Sequence, residues 1–266
     1  MSPLSWVVLA TVLSGALSAL MAGLFLLIPE AKRHRVLPHL VSFATGALLG
    51  AALLGLIPHA IETAGVENTH GIGLALLGGI LVFFVLEKLV LWRHCHHDEC
   101  EAHPHDIHAH GPTHQQRDKA SASLILMGDG FHNALDGVLI AAAFLTDVHL
   151  GIVSAIAVFA HEIPQEVGDL AILLQGGMSR MRALTLNLLT SLTSVLGGIV
   201  GVFALGPVVE YLPYALAIAA SSFLYVAVAD LIPGLHRKVD ATSAVQQFLM
   251  ISIGVALIYF THSAAH

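Results

Sequence analysis

Two short segments of the sequence are rich in side chains that bind divalent metal ions. The first spans Gly128–Gly137 and contains two aspartates, a histidine and an asparagine. The second spans His161–Asp169 and contains a histidine, two glutamates, a glutamine and an aspartate. Imidazole nitrogen, carboxylate oxygen and amide oxygen form a ligand mixture that suits zinc and other first-row divalent ions. The two segments can serve one metal site only if the elements containing them place these side chains at one level.

Helical spacing would make the polar side chains of each segment converge, because they share a face roughly 100° to 140° wide. The face in the first segment consists of Asp129, His132, Asn133 and Asp136. The face in the second segment consists of His161, Glu162, Gln165, Glu166 and Asp169. The predicted metal ligands are His132, Asn133, Asp136, His161, Glu162, Gln165, Glu166, Asp169 and, from a later apolar segment, Asn187. The alternative interpretation is a network of interhelical hydrogen bonds without an ion, and Asn187 alone could be a packing contact.

The composition places both segments in a membrane protein. Of the 266 residues, 56% are hydrophobic and 11% are charged, whereas a soluble domain carries roughly 25% charged residues. This composition excludes a soluble globule and a disordered chain. The 11 basic residues form no extended basic surface, so nucleic-acid binding is not expected. Ionisable residues at membrane depth are costly and indicate a functional site.

Eight apolar stretches approach the roughly 20 residues that a membrane span needs. They are Leu4–Ile28, Val36–His59, Gly71–Trp92, Ala120–Thr146, Leu150–Gly176, Ala183–Leu205, Leu212–His236 and Ala244–Thr261. The two polar segments lie near the middle of the fourth and fifth spans, so antiparallel packing would place them at one depth. We predict an all-α polytopic membrane protein in which residues 1–266 form a single transmembrane domain.

The basic residues predict the orientation of these spans. Ten of the 11 lysines and arginines lie in alternate connections, on one side of the membrane, and only Lys88 falls within a span. The positive-inside rule makes that side the cytoplasm. We therefore expect a multi-pass protein of the cell (inner) membrane with both termini outside.

The connection Arg93–Lys119 is predicted to be a His-rich cytoplasmic loop between the third and fourth spans. It contains eight histidines and both cysteines of the chain. Imidazole and thiolate favour zinc or copper(I), and the reducing cytosol makes the cysteines ligands or free thiols rather than a disulfide. A sensor, a metal buffer, an exit shuttle and a solvated loop of biased composition all remain open.

Two further features concern the spans themselves. The segments Gly55–Pro58 and Asp230–Pro233 both end in Leu-Ile-Pro and close spans that run in opposite directions, which suggests an inverted repeat of spans one to three and six to eight. Pro164, inside the fifth span, removes a helical hydrogen bond and frees the carbonyl of Ala160. Such a break at a midplane ion site is common in transporters.

At this point the chain resembles the ZIP family of metal transporters. The pattern His-Asn-x-x-Asp-Gly over His132–Gly137 is similar to the family motif of the fourth span. The pattern His-Glu-x-Pro-Gln-Glu-x-Gly-Asp over His161–Asp169 resembles the LIV-1 branch. The resemblance implies eight spans in a 3+2+3 inverted-repeat arrangement, a two-metal site between spans four and five, uptake of zinc or another divalent ion toward the cytoplasm, and a homodimer. The metal is then substrate rather than cofactor, and no enzyme activity is expected.

Carried over by position, the resemblance implies two ions. One would bind to His132, Asp136 and Gln165. The other would bind to Asn133, Asp136, Glu162 and Asn187, with Gln165 as a shared ligand. Relatives usually have His or Glu at position 165, and a neutral amide is a weaker zinc ligand than either. Relatives also often carry Asp and His in the second span, where this chain has Ala51 and Gly55.

Two other functions fit parts of the pattern. His161-Glu162-x-x-Gln165 differs by one residue from the His-Glu-x-x-His motif of zinc hydrolases, so a membrane-embedded metalloprotease is one alternative. His132-x-x-x-Asp136 also matches a pattern found in proton-coupled metal exporters, although these usually have six spans and a soluble metal-binding domain. Peptide cleavage and the direction of flux distinguish these alternatives from uptake.

Overall fold

The computed structural model describes residues 2–95, 114–175, 177–236 and 240–263, and every regular element in these ranges is a helix. The α-helices are α1 (Pro3–Phe25), α2 (Glu30–Gly50), α3 (Ile57–Ala64), α4 (Thr69–Cys95), α5 (His114–Thr146), α6 (Val148–Gln175), α7 (Arg180–Ser191), α8 (Thr193–Leu205), α9 (Leu212–Tyr225), α10 (Ile232–Leu235) and α11 (Ala241–Ser263). Two π-helical segments, Ala51–Leu56 and Val226–Leu231, join α2 to α3 and α9 to α10.

Long apolar helices make this a polytopic membrane protein. Within the described ranges, six helical stretches are long and apolar enough to cross a bilayer. They are Pro3–Phe25, Arg35–Ala64, Val66–Leu89, Val148–Leu174, Arg180–Leu235 and Ala241–Ser263. The 56-residue stretch Arg180–Leu235 contains two of the predicted spans, and α5 is not among the six. The count of eight spans and their 3+2+3 arrangement therefore stay predictions.

The predicted His-rich loop, Arg93–Lys119, is only partly described. Helix α4 continues to Cys95 and helix α5 begins at His114, so both ends of the segment are helical. Residues 96–113, with most of the histidines and Cys100, lie outside the described residues.

Helices α5 and α6, which carry the two polar segments, are antiparallel neighbours joined by the single residue Asp147. Its carboxylate accepts hydrogen bonds from the backbone N–H groups of His149 and Leu150, at 2.8 and 3.0 Å, and so caps α6. Partial burial alone would raise the pKa of this carboxyl, but the two N–H donors outweigh it and hold the pKa below its ordinary value. The short turn brings the two polar segments to one level.

The predicted break at Pro164 is not present. Helix α6 runs continuously from Val148 to Gln175 and includes this proline. The departures from α-helical geometry lie elsewhere, in the π-helical segments Ala51–Leu56 and Val226–Leu231. Each is followed directly by an Ile-Pro pair at the start of the next short α-helix. Proline lacks the N–H that would close the next α-helical bond, and π-helical turns are frequent at functional sites.

Helix α5 is held against α8 by glycines that permit backbone contact. A Cβ atom on Gly137 would lie 1.9 Å from the carbonyl oxygen of Ser194, and one on Gly197 would lie 1.9 Å from that of Ala134. Such distances are far inside van der Waals contact, so only glycine fits at these two positions. Small residues allow this close approach between membrane helices, where van der Waals packing drives association.

We expect Gly197→Ala to destabilise the fold, because its methyl group must push α8 away from α5. Overpacking of this kind costs about 1–3 kcal/mol. The matched control is Gly78→Ala, since a Cβ there meets nothing within 4 Å and alanine is the better helix former. Thermal unfolding of the purified proteins in detergent should show a lower melting temperature for Gly197→Ala only. Equal melting temperatures would contradict the packing interpretation.

Candidate metal centre

Four of the predicted ligands meet between α5 and α6, and we call them the His–carboxylate cluster: His132, Asp136, His161 and Glu162. One ligand atom from each lies within 4.8 Å of the others. The Nε2 atom of His161 lies 3.1 Å from Oδ2 of Asp136 and 3.5 Å from Oε1 of Glu162. The Nε2 atom of His132 lies 3.8 Å from each of these two oxygens.

These separations are close to those in the ligand shell of a tetrahedral zinc ion, with the 3.1 Å and 3.8 Å pairs just outside its range. With bonds of about 2.0–2.2 Å, tetrahedral ligands lie roughly 3.3–3.6 Å apart. The two imidazoles satisfy this relation as well, since their Nε2 atoms are 3.3 Å apart. The cluster therefore has both the ligand chemistry and the spacing for a first-row divalent ion.

A backbone contact fixes the tautomer of His161. Its Nδ1 atom lies 3.1 Å from the carbonyl oxygen of Ala157, and a carbonyl can only accept, so Nδ1 carries the hydrogen. In the neutral ring Nε2 is then the atom with a free lone pair, and it faces Asp136 and Glu162. A second-sphere hydrogen bond of this type is common for metal-binding histidines.

The carboxylates of the cluster are buried with unused lone pairs. Asp136 and Glu162 are each 1% exposed, and neither Oδ2 of Asp136 nor either side-chain oxygen of Glu162 accepts a hydrogen bond within the described ranges. Buried charges are normally paired or bound to metal. His132 is more accessible, with 24% of its side chain exposed, so it lies on the open side of the cluster.

A second group, the carboxylate cluster, adjoins the first and shares Glu162 with it. Its other members are Asp129 and Glu166, and one oxygen from each of the three carboxylates lies within 4.8 Å of the others. The amide of Asn133 donates to Oδ1 of Asp129 over 2.8 Å. The hydroxyl of Ser191, at the end of α7, donates to Oε1 of Glu166.

The remaining predicted ligands, Gln165, Asp169 and Asn187, are on α6 and α7. Asn187, on α7, is fully buried, and its side chain lies beside the carboxylate of Glu166. Gln165 and Asp169 are half-buried on α6.

Two contributors were not in the predicted ligand set. Asp129 lies on the predicted polar face of its span, one turn before Asn133, and this spacing is the signal that could have included it. Ser191 gave no local signal, because a serine in an apolar helix most often donates to its own backbone. Its partner Glu166 is brought to it only by the packing of α6 against α7.

Comparison with known proteins is consistent with this geometry. The chain matches the family "ZIP Zinc transporter" over residues 4–106 and 91–262. It is 33% identical over 261 residues to zinc transporter ZIP4 of Rattus norvegicus, covering 78% of this chain and 39% of the relative. It is 31% identical over 233 residues to zinc transporter ZIP13 of Pongo abelii, covering 83% and 65%. For zinc transporter ZIP5 of Homo sapiens the identity is 33% over 294 residues, covering 86% and 54%.

The chain thus spans between two fifths and two thirds of the length of these relatives. The family match, by contrast, extends over nearly all of its own residues, including both polar segments. The resemblance inferred from the motifs of the fourth and fifth spans is confirmed: the chain belongs to the ZIP family of zinc transporters.

Proposed function

We propose that this protein carries divalent metal ions, zinc foremost, across the cell membrane toward the cytoplasm. The observation that supports this most is the His–carboxylate cluster, in which ligand atoms of two imidazoles and two buried carboxylates converge within 4.8 Å of one another. ZIP family members move zinc as a substrate rather than using it as a cofactor. Iron, manganese and cadmium have related ligand preferences and are the other candidate substrates.

Each ligand has a distinct part in the proposed site. His132 meets the incoming ion first because it is the most accessible member. Asp136 and Glu162 neutralise the ion in a region of low dielectric, where an uncompensated charge is expensive. His161 supplies a pre-oriented nitrogen. Asn133, Gln165, Glu166, Asp169 and Asn187 complete the proposed set of metal-binding residues around this centre.

The proposed architecture has eight spans in a 3+2+3 inverted repeat, and helix pairing supports it. In an inverted repeat, spans one, two and three correspond to spans six, seven and eight, and span four corresponds to span five. The helix pair α1–α6 in one half then corresponds to the pair α8–α5 in the other. In the same way, the pair α2–α11 corresponds to the pair α9–α4. All four are main contacts of the bundle. The π-helical segments Ala51–Leu56 and Val226–Leu231 are also exchanged, and both precede an Ile-Pro pair.

The proposed orientation follows from the basic residues. Ten of the 11 lie on one side, which the positive-inside rule assigns to the cytoplasm, so both termini face outside the cell membrane. The segment Arg93–Lys119 is then a cytoplasmic metal-binding loop. A homodimer is the assembly that the family resemblance implies.

A hydrolase remains the weaker interpretation of the same residues. ZIP family members are transporters and not enzymes. The second histidine of the hydrolase motif is replaced by Gln165, whose amide oxygen is a weaker zinc ligand than imidazole. Membership in this family also favours uptake over the exporter alternative, and the direction of flux is the measurement that decides it.

We expect Asp136→Asn and Glu162→Gln each to reduce zinc flux at least about tenfold. Each removes a ligand charge while preserving side-chain size, and loss of even an outer-shell partner of a metal site costs about 10–100-fold. Flux into proteoliposomes is the measurement, with Glu210→Gln as the control. Glu210 is an exposed carboxylate distant in sequence from both polar segments. Near wild-type flux in either cluster variant would remove that residue from the site.

Gln165 tests how far the site extends along α6. We expect Gln165→His to strengthen zinc binding, because imidazole is a better zinc ligand than an amide. Tighter holding should then slow turnover, since a transported ion must also leave. Gln165→Leu should weaken binding if the amide touches the ion. Zinc affinity and flux should be measured for all three forms. If affinity and flux are the same in all, Gln165 does not contact the ion.

A further inference from the structure

We propose that His59, Asp147 and His149 form a separate metal-capture site at the outer end of the path to the His–carboxylate cluster. None of the three belongs to the ligand set predicted from the two polar segments or to the set that the family motifs imply. The site binds zinc or a similar divalent ion through two imidazoles and one carboxylate oxygen, a mixture that suits first-row divalent ions. The inference deepens the proposed transport function and rests on it for the place of the site in the pathway.

Packing between span two and α6 brings these residues to one level. A Cβ atom on Gly55 would lie 3.5 Å from Cδ1 of Leu150 and 3.6 Å from Cγ1 of Val153, so the end of span two lies against the start of α6. In the proposed topology the two segments run in opposite directions. His59 comes about one turn after Gly55, and Asp147 comes about one turn before Leu150, so His59 and Asp147 reach the same level.

The angular order of side chains on α6 places span two between Asp147 and His149. The two residues that lie against span two are Val153 and Leu150. At about 100° per residue, both fall in the angular gap between the side chains of Asp147 and His149. The charge of the Asp147 carboxylate accordingly interacts with the imidazoles of both His149 and His59. One carboxylate and two imidazoles are therefore grouped at the start of α6.

The carboxylate of Asp147 is already oriented for a ligand role. Its two hydrogen bonds, from the backbone N–H groups of His149 and Leu150, both end on Oδ1, so Oδ2 is free of them and can face an ion. His149 is exposed and His59 is half-buried. Exposed side chains change rotamer rapidly, so the imidazoles can turn onto an ion that the carboxylate attracts. A site completed in this way releases its ion readily, which suits capture and onward transfer.

A polar stripe on α6 connects this site with the His–carboxylate cluster. Asp147, Ser154 and His161 follow one another at intervals of seven residues, so they share one face of the helix. Asp147 and His161 are about 21 Å apart along the helix axis, so the two sites share no ligand. Ser154, between them, is 1% exposed, and its hydroxyl makes no hydrogen bond within the described ranges. A serine in a helix can donate to its own backbone, so this free hydroxyl is available to the hydration shell of a passing ion.

The charges on the outer side favour a cation at this position. The connections on that side contain no lysine or arginine and four carboxylates, which are Glu62, Glu67, Asp147 and Glu210. A surface of one sign raises the local concentration of counter-ions and their rate of association. Carboxylates alone also suit magnesium and calcium, whereas the two imidazoles beside Asp147 favour zinc. The capture site therefore adds selectivity to attraction at the point of entry.

Histidine modification by diethyl pyrocarbonate tests this site residue by residue, with mass spectrometry of the purified full-length protein in nanodiscs as the readout. The reagent attacks a free imidazole nitrogen, and a bound ion blocks it. We expect zinc at about ten times its dissociation constant to slow the modification of His59 and His149 about tenfold, by mass action. His70, an exposed histidine of α4 on the same side, is the internal control and should react at the same rate with and without zinc.

The matched variant is Asp147→Asn, which removes the charge but keeps a side chain that is a good N-cap for α6. We expect it to raise the zinc concentration for half-maximal protection at least about tenfold, since loss of even an outer-shell partner of a metal site costs about 10–100-fold. Each histidine is read separately, so zinc bound to the His-rich loop does not enter the comparison.

Three outcomes would overturn the proposal. They are equal reaction rates of His59 and His149 with and without zinc, equal protection in the wild type and Asp147→Asn, and equal protection of His70. Thermal unfolding shows whether Asp147→Asn folds, and if it does not, the comparison of the three histidines in the wild-type protein still decides. Zinc flux by the wild type separates the two claims. Flux without protection contradicts the capture site alone, and protection without flux contradicts the proposed transport alone.

Discussion

Compensation of buried negative charge is the constraint on which the rest of this structure depends. Asp136, Glu162 and Glu166 are buried at the centre of a helix pair, where an unpaired charge is far more costly than in water. Within the described ranges no lysine or arginine forms an ion pair with them. The two imidazoles supply nitrogen ligands rather than fixed charge. A divalent cation is the partner that fits both the oxygens and the nitrogens.

The scaffold around the clusters serves to hold their geometry. A one-residue turn at Asp147 sets the level of α5 against α6, and backbone contact at Gly137 and Gly197 fixes α5 against α8. Hydrogen bonds from Asn133 and Ser191 then orient individual carboxylates. Because most of these positions lie on rigid helices, the free oxygens stay close together despite their repulsion, and this preorganisation favours ion binding.

Local periodicity was sufficient to predict much of the fold and the centre of the site. Helices were expected from apolar length, and His132, Asp136, His161 and Glu162 were expected to converge from their spacing alone. The polar arc on α6 also includes Gln165 and Asp169, and their place in the ligand set stays a prediction. Ser191 and its bond to Glu166 depend on packing between distant segments, which periodicity does not report. Apolar periodicity also does not predict the π-helical segments Ala51–Leu56 and Val226–Leu231. The predicted break at Pro164 is wrong, because the helix continues through it.

Anomalous diffraction from crystals grown with zinc tests the central claim most directly, because it locates the ion rather than inferring it from activity. The account predicts a zinc peak about 2.0–2.2 Å from Nε2 of His132 and His161 and from carboxylate oxygens of Asp136 and Glu162. The peak should disappear in crystals of Glu162→Gln. Zinc bound only elsewhere in the protein, with no peak among these four side chains, would contradict the account.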